Sequence, residues 1–232
     1  MNTLNLIHEN MKLADMLNEN PQLILMLPRF EIGLGFGEKH IKEVCQQNDV
    51  PVSLFLLLCN VYTFDAYLPS QSAIKEVEGS ALVSYLEASH DYYLNQRLSH
   101  IGRHVDRIAE GCGNAGPLLR RFFAEYVKEV EKHFSYEEKR VYPYILQLER
   151  GERSADFCIK TFEESHGNVE DKLSDLTNII IKYLPAETLP EERISVWFDI
   201  AQVMKDLNKH ALIEEKILIP YVKHLEYGTP HI

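Results

Sequence analysis

Two stretches of this 232-residue chain repeat one another. Lys132-His133-Phe134-Ser135-Tyr136-Glu137-Glu138-Lys139 is followed by Pro143-Tyr144; 77 residues later, Lys209-His210-Ala211-Leu212-Ile213-Glu214-Glu215-Lys216 is followed by Pro220-Tyr221. A shorter pattern, E-x-S-H, recurs 76 residues apart at Glu87–His90 and Glu163–His166. The chain therefore contains two related hairpins. Each supplies one lone histidine and one H-x-x-x-E.

The segments that carry the repeat read as helices. Apolar residues recur at helical spacing, and Pro, Gly and Asn gather at a few breaks. Four long helices are predicted, at about 81–110, 117–149, 155–183 and 190–225. The breaks are Gly111–Gly116, Gly151 with Ser154, and Pro185–Pro190. Long helices on short loops imply an all-α fold, an up-down four-helix bundle over residues 80–228. Residues 1–75 form a small helical domain before it. They carry a helix before Asn20-Pro21, a short one to Leu27-Pro28, a loop Gly33–Gly37, and helices Glu38–Gln47 and Pro51–Tyr62. Pro51 suits a first helical position, and Pro69–Gly79 reads as a linker. Pro143 and Pro220 are expected to kink or end their helices. Tyr144 and Tyr221 are expected to pack in the core.

On a helix, residues i and i+4 share a face. His133 can therefore meet Glu137, and His210 can meet Glu214. Phe122, Tyr126 and Val130 precede His133 on its face, and Val203 and Leu207 precede His210. Glu129 and Arg140 interrupt the first of these faces. His90 and His166 also stand among apolar neighbours. An uncompensated buried charge costs several kcal/mol. A pair of metal ions held by His90, His133, Glu137, His166, His210 and Glu214 would satisfy all six. Imidazole nitrogen and carboxylate oxygen suit iron, manganese or zinc. Glu137 and Glu214 could bridge ions about 3.5–4 Å apart. A duplicated bundle whose polar pairs only hydrogen-bond is the alternative.

Glu87 and Glu163 precede their histidines by three residues and could accept hydrogen bonds from the imidazoles. They could instead be ligands in a ferritin-like set, Glu87, His90, Glu137, Glu163, His166 and Glu214. That scheme leaves His133 and His210 without a role. Glu170 reads as a solvated flank. His100 and His104 lie about 15 and 21 Å beyond His90 along a straight helix, so they read as exposed or structural. His8, His40, His224 and His231 default to the surface.

A net charge of −11 argues against nucleic acid and against an anionic membrane surface. The longest apolar stretch, Val52–Cys59 with Ser53 inside it, falls far short of the ~20 residues of a membrane span. The first residues lack a basic region typical of a signal peptide. Cys45, Cys59, Cys112 and Cys158 lie far apart and read as free thiols of a cytoplasmic protein. The Gly33–Gly37 loop follows no strand, so it is no phosphate fingerprint. Residues 1–75 hold eight acidic and five basic side chains, against a helix-turn-helix reading of 38–62.

The order His90, His133-x-x-x-Glu137, His166, His210-x-x-x-Glu214 resembles the hemerythrin-like H-H-E family over about 81–225. The first domain, with Leu27-Pro28-Arg29-Phe30-Glu31-Ile32-Gly33 and Glu43-Val44-Cys45, resembles that of the iron–sulfur cluster repair proteins. The resemblance implies a centre of two iron ions, with manganese or zinc as alternatives. It also implies O₂ or nitric oxide as small ligand and damaged iron–sulfur proteins as partners. An O₂- or NO-binding sensor without turnover and a ferritin-like di-iron oxidase are the alternative functions. No catalytic residue or oligomeric state is assigned. Two departures stand out: Phe162 occupies the place of a further hemerythrin histidine, and the first domain lacks the repair proteins' adjacent Cys pair.

Overall fold

The computed structural model describes residues 5–152, 157–165 and 171–228. Among these residues every regular element is helical, and the one extended pairing is an isolated bridge, Lys12 to His40. The fold is all-α, a helical bundle as the sequence implies. The small elements come first: α1 (Leu13–Glu19), two 3₁₀ turns (Pro21–Met26, Pro28–Phe30), α2 (Ile41–Gln47), α3 (Val52–Thr63) and α4 (Gln71–Lys75). The long pieces follow: α5 (Gly79–Asp91), α6 (Ser99–Glu110), α7 (Gly116–Tyr136), α8 (Tyr142–Glu149), α9 (Ile159–Ser165), α10 (Asp171–Lys182), α11 (Pro190–Ile213) and α12 (Ile219–Tyr227).

Local chemistry moves several expected boundaries. His40 stands outside α2, where its backbone N–H donates to Glu43 at 2.8 Å in a capping box. Pro51 caps α3 rather than entering it. The expected linker contains α4, because the Ser70 hydroxyl accepts from the Ala73 N–H at 3.2 Å. The prolines do not end the helical path. π-helical turns, Glu137–Val141 and Glu214–Leu218, run directly into α8 and α12. Pro143 and Pro220 are then the second residue of each new helix. A widened turn loosens the carbonyl ladder where a proline has no N–H to give. A third π turn, Tyr92–Leu98, joins α5 to α6.

The chain divides into two compact units. The first comprises Met1–Ser89, Tyr142–Ser165 and Lys209–Ile232; the second comprises His90–Val141 and His166–Asn208. In the second, α6 and α10 pack on α7. Their core runs through Ile101, Val105, Phe123, Tyr126, Val130, Leu173, Leu176, Val196 and Ile200. α7 starts hard against the end of α6: a Cβ on Gly116 would lie 2.1 Å from the Ala109 carbonyl oxygen.

In the first unit, α12 packs on α4, α8 and α9. Phe30 packs its ring on Phe55 and Tyr85, and the buried Arg29 reaches the Tyr85 hydroxyl at 3.4 Å. Lys209 pairs with Asp65 at 2.5 Å, and Lys216 donates to the Asp65 and Tyr67 carbonyls. Two matched clamps close this unit. The Tyr144 hydroxyl donates to Glu226 at 2.6 Å, and the same carboxylate oxygen accepts the Ile159 N–H that opens α9 at 2.8 Å. The Tyr221 hydroxyl donates to Glu149 at 2.7 Å, and Glu149 accepts the Gly79 N–H that opens α5 at 2.7 Å. Glu149 and Glu226 are themselves 77 residues apart, so the repeat extends five residues past the tyrosines. Each carboxylate satisfies an orphan donor at a helix start and favours the positive end of the helix dipole.

Burial, with the glutamate that each hydroxyl faces, pushes the Tyr144 and Tyr221 phenols above their ordinary value of about 10. A raised native pKa means that the folded state favours the protonated phenol. That contribution is complete below about pH 10 and is lost as pH climbs through the native values. The denaturation midpoint is therefore expected to fall above about pH 10, with less alkaline dependence in Tyr144→Phe/Tyr221→Phe. A Cβ on Gly79 would lie 2.6 Å from Glu149 Oε1 and 3.0 Å from the Tyr221 ring. Gly79→Ala is thus expected to cost about 1–3 kcal/mol in urea unfolding. Gly33→Ala, which meets nothing within 4 Å, should be near neutral.

Candidate metal centre

The second unit brings His90, His133 and Glu137 together. His90 lies in the last turn of α5, His133 near the end of α7, and Glu137 opens the π turn that follows. The Glu137 carboxylate is fully buried and faces both rings: Oε2 lies 3.1 Å from His90 Nε2, and Oε1 lies 3.0 Å from His133 Nε2. Phe134 stacks on the His90 ring, centroids 3.8 Å apart and planes within 6°. This contact fixes the plane of the imidazole. The other nitrogen, His90 Nδ1, lies 2.9 Å from Glu138 Oε1. In the E-x-S-H motif the buried Ser89 hydroxyl donates to the Tyr85 carbonyl at 2.8 Å, a bond within the same helix. Glu129 pairs with Lys172, and both Glu129 and Arg140 are exposed. The two charges that interrupted the predicted apolar face therefore point away from the centre.

The first unit holds the matching pair. His210, in the last turn of α11, has Nε2 3.5 Å from Oε1 of Glu214, which opens the corresponding π turn. Both side chains are buried, Glu214 completely, as are Ile213, Ile217, Leu218 and Tyr221 nearby in the chain. His166 and Glu170 lie outside the described residues, as does His231.

Glu87 does not orient His90 as the sequence suggested, and His166, the histidine that Glu163 would serve, lies outside the described residues. Glu87 is exposed, and Glu163 is exposed and paired with Lys223 at 2.8 Å. Three residues before a histidine, each carboxylate falls on the solvent flank of its helix. The carboxylate behind His90 comes instead from across the unit, from Glu138. The signal for Glu138 was present in the doubled glutamates of both repeats. Glu215, its counterpart, is exposed. His100 and His104 form part of a separate side-chain cluster with Asp199 and Glu192. Cys45 and Cys59 are buried. Burial pushes the Cys45 thiol up to about 12 and holds Cys59 well above its ordinary value. Neither offers a ready thiolate.

The donor set suits a cation. Imidazole nitrogens and carboxylate oxygens are ligands for iron, manganese and zinc. Carboxylates withdrawn from water, each beside an imidazole, carry a desolvation cost that a bound cation offsets. An imidazole that gives Nδ1–H to Glu138 presents its Nε2 lone pair toward Glu137, the arrangement typical of metal-bound histidine.

Compared with known protein families, residues 81–222 match the Hemerythrin HHE cation binding domain. No curated protein matches the chain. Among the described residues no helix is long and apolar enough to cross a membrane.

Glu138→Gln keeps the shape and removes the charge that orients His90. It is expected to weaken metal retention about 10–100-fold while leaving the saturated metal count unchanged. Competition with a chelator would measure both.

Proposed function

Because the chain belongs to the hemerythrin HHE cation-binding family, we propose that it is a non-haem di-iron protein that repairs iron–sulfur centres damaged by nitric oxide or oxidants. The observation that carries the reading is the motif repeated in each unit: His133 and the buried His90 on the buried Glu137 in one, and the buried His210 beside the buried Glu214 in the other. The ligand set read from the repeat, His90, His133, Glu137, His166, His210 and Glu214, would hold the ions. Bound there, iron supplies affinity for O₂ or nitric oxide and one-electron chemistry. The chain's own residues orient and shield: Phe134 holds the plane of His90, Glu138 holds its Nδ1, and apolar side chains keep water from the carboxylates.

Support for the repair role comes from the first 75 residues. Their Leu27–Gly33 segment resembles the repair proteins, and it is folded in. Arg29 and Phe30 are buried against Tyr85, five residues before His90. Burial holds the thiols of Cys45 and Cys59 protonated, which weighs against a thiol step in the first domain. The exposure of Glu87 and Glu163 weighs against a ferritin-like oxidase, which would need both as ligands.

Protein purified without oxygen is expected to contain two iron ions per chain. It is expected to restore activity to an iron–sulfur dehydratase inactivated by nitric oxide. His133→Ala and His210→Ala should each lower the iron count and the restoration together. Reversible NO or O₂ spectra with no restoration would favour a sensor instead.

A further inference from the structure

We infer that the second unit carries another metal site, for a divalent transition ion of the zinc class, at His100, His104 and Asp199. The two histidines stand four residues apart on α6, so their rings share one face. Asp199 comes from α11. His100 Nε2 lies 3.1 Å from His104 Nε2 and 3.2 Å from Asp199 Oδ2. All three ligand atoms lie within 4.8 Å of one another. A tetrahedral ion bound at about 2.0–2.1 Å sets its ligand atoms about 3.3 Å apart. The two measured edges already come close to that spacing.

The neighbours orient the cluster as a site rather than as ion pairs alone. His104 Nδ1 faces Glu192 Oε1 at 2.5 Å, so the ring gives its proton outward and turns the Nε2 lone pair inward. Arg97 holds Asp199 Oδ1 at 2.8 Å and leaves Oδ2 for the ion. Arg97 balances Asp199, and Arg107 balances Glu192 at 3.1 Å. Neither carboxylate needs a histidine as its counter-ion. One contact must yield: exposed Arg103 donates to His100 Nδ1 at 3.3 Å. When that side chain swings into water, His100 can carry its proton on Nδ1 and offer Nε2 to the ion.

Side-chain exposures of 39% for His100, 16% for His104 and 19% for Asp199 put the site at the edge of the unit. An ion can reach it from solvent, and a fourth position stays open for water. Two imidazoles and one carboxylate with an open position are a donor set that zinc accepts. Bound there, the ion would tie α6 to α11. This site shares no residue with the ligands proposed for the iron pair.

The test uses the full chain, loaded with iron under anaerobic conditions and then titrated with zinc. The wild type is expected to take up one more zinc equivalent than His104→Gln or Asp199→Asn, with iron content equal in all three. Comparing zinc counts between wild type and variants keeps the result independent of whether the proposed iron site fills. A footprint needs no variant: zinc should shield His100 and His104 of the wild type from diethyl pyrocarbonate, read by mass spectrometry. Equal zinc uptake in wild type and variants, or equal labelling with and without zinc, would overturn the site.

Discussion

A carboxylate held out of water beside imidazole nitrogens is the constraint around which this fold is arranged. Glu137 and Glu214 are both 0% exposed. Such groups persist only where the surrounding structure leaves them no alternative. Each opens a π turn, so the backbone widens at the residue whose carboxylate is directed inward. Such turns cluster at functional sites because they re-aim a side chain without ending the helix. Here the same turn also accommodates the proline that follows. One local distortion thus answers both the demand of the site and the demand of the sequence.

The stability that holds this arrangement comes from elsewhere. In the first unit, Tyr144 and Glu226, and Tyr221 and Glu149, link helix ends through bonds of 2.6–2.8 Å. In the second, a continuous apolar core carries α6, α7 and α10. Each system is local to its unit. The buried polar groups therefore rest on frames that gain stability from apolar burial and satisfied helix ends, not from the site itself.

Much of this was legible in the sequence, and the parts that were not share a cause. Helical period and breakers located the long helices, and the internal repeat singled out His133–Glu137 and His210–Glu214. Those are relations within one helix, which spacing alone defines. Glu138, Glu149 and Glu226 act across helices, and no spacing rule reaches across a fold. The rule was also misapplied to Glu87. Three residues from a histidine is near enough to share a face, yet here the carboxylate falls on the wet flank. His100 and His104 were judged by their distance from His90 along one helix. What decides their role is Asp199 and Glu192, about 90–100 residues further along the chain.

Comparing the two copies separates what the site needs from what the fold needs. The histidine, the inward glutamate, the proline, the tyrosine and the distal glutamate occur in both. Each has a role tied to the site or to a helix end. The lysines have diverged in use: Lys209 and Lys216 fasten the Asp65–Tyr67 turn, whereas Lys132 and Lys139 stay exposed. The residue after the histidine has diverged in kind. Phe134 stacks on His90, and Ala211 holds the same place in the other copy. The residue that follows the histidine therefore contributes a stacked ring in one copy and a methyl group in the other. The repeat thus keeps the histidine and the glutamate that stand in the site and varies the side chain that packs beside them.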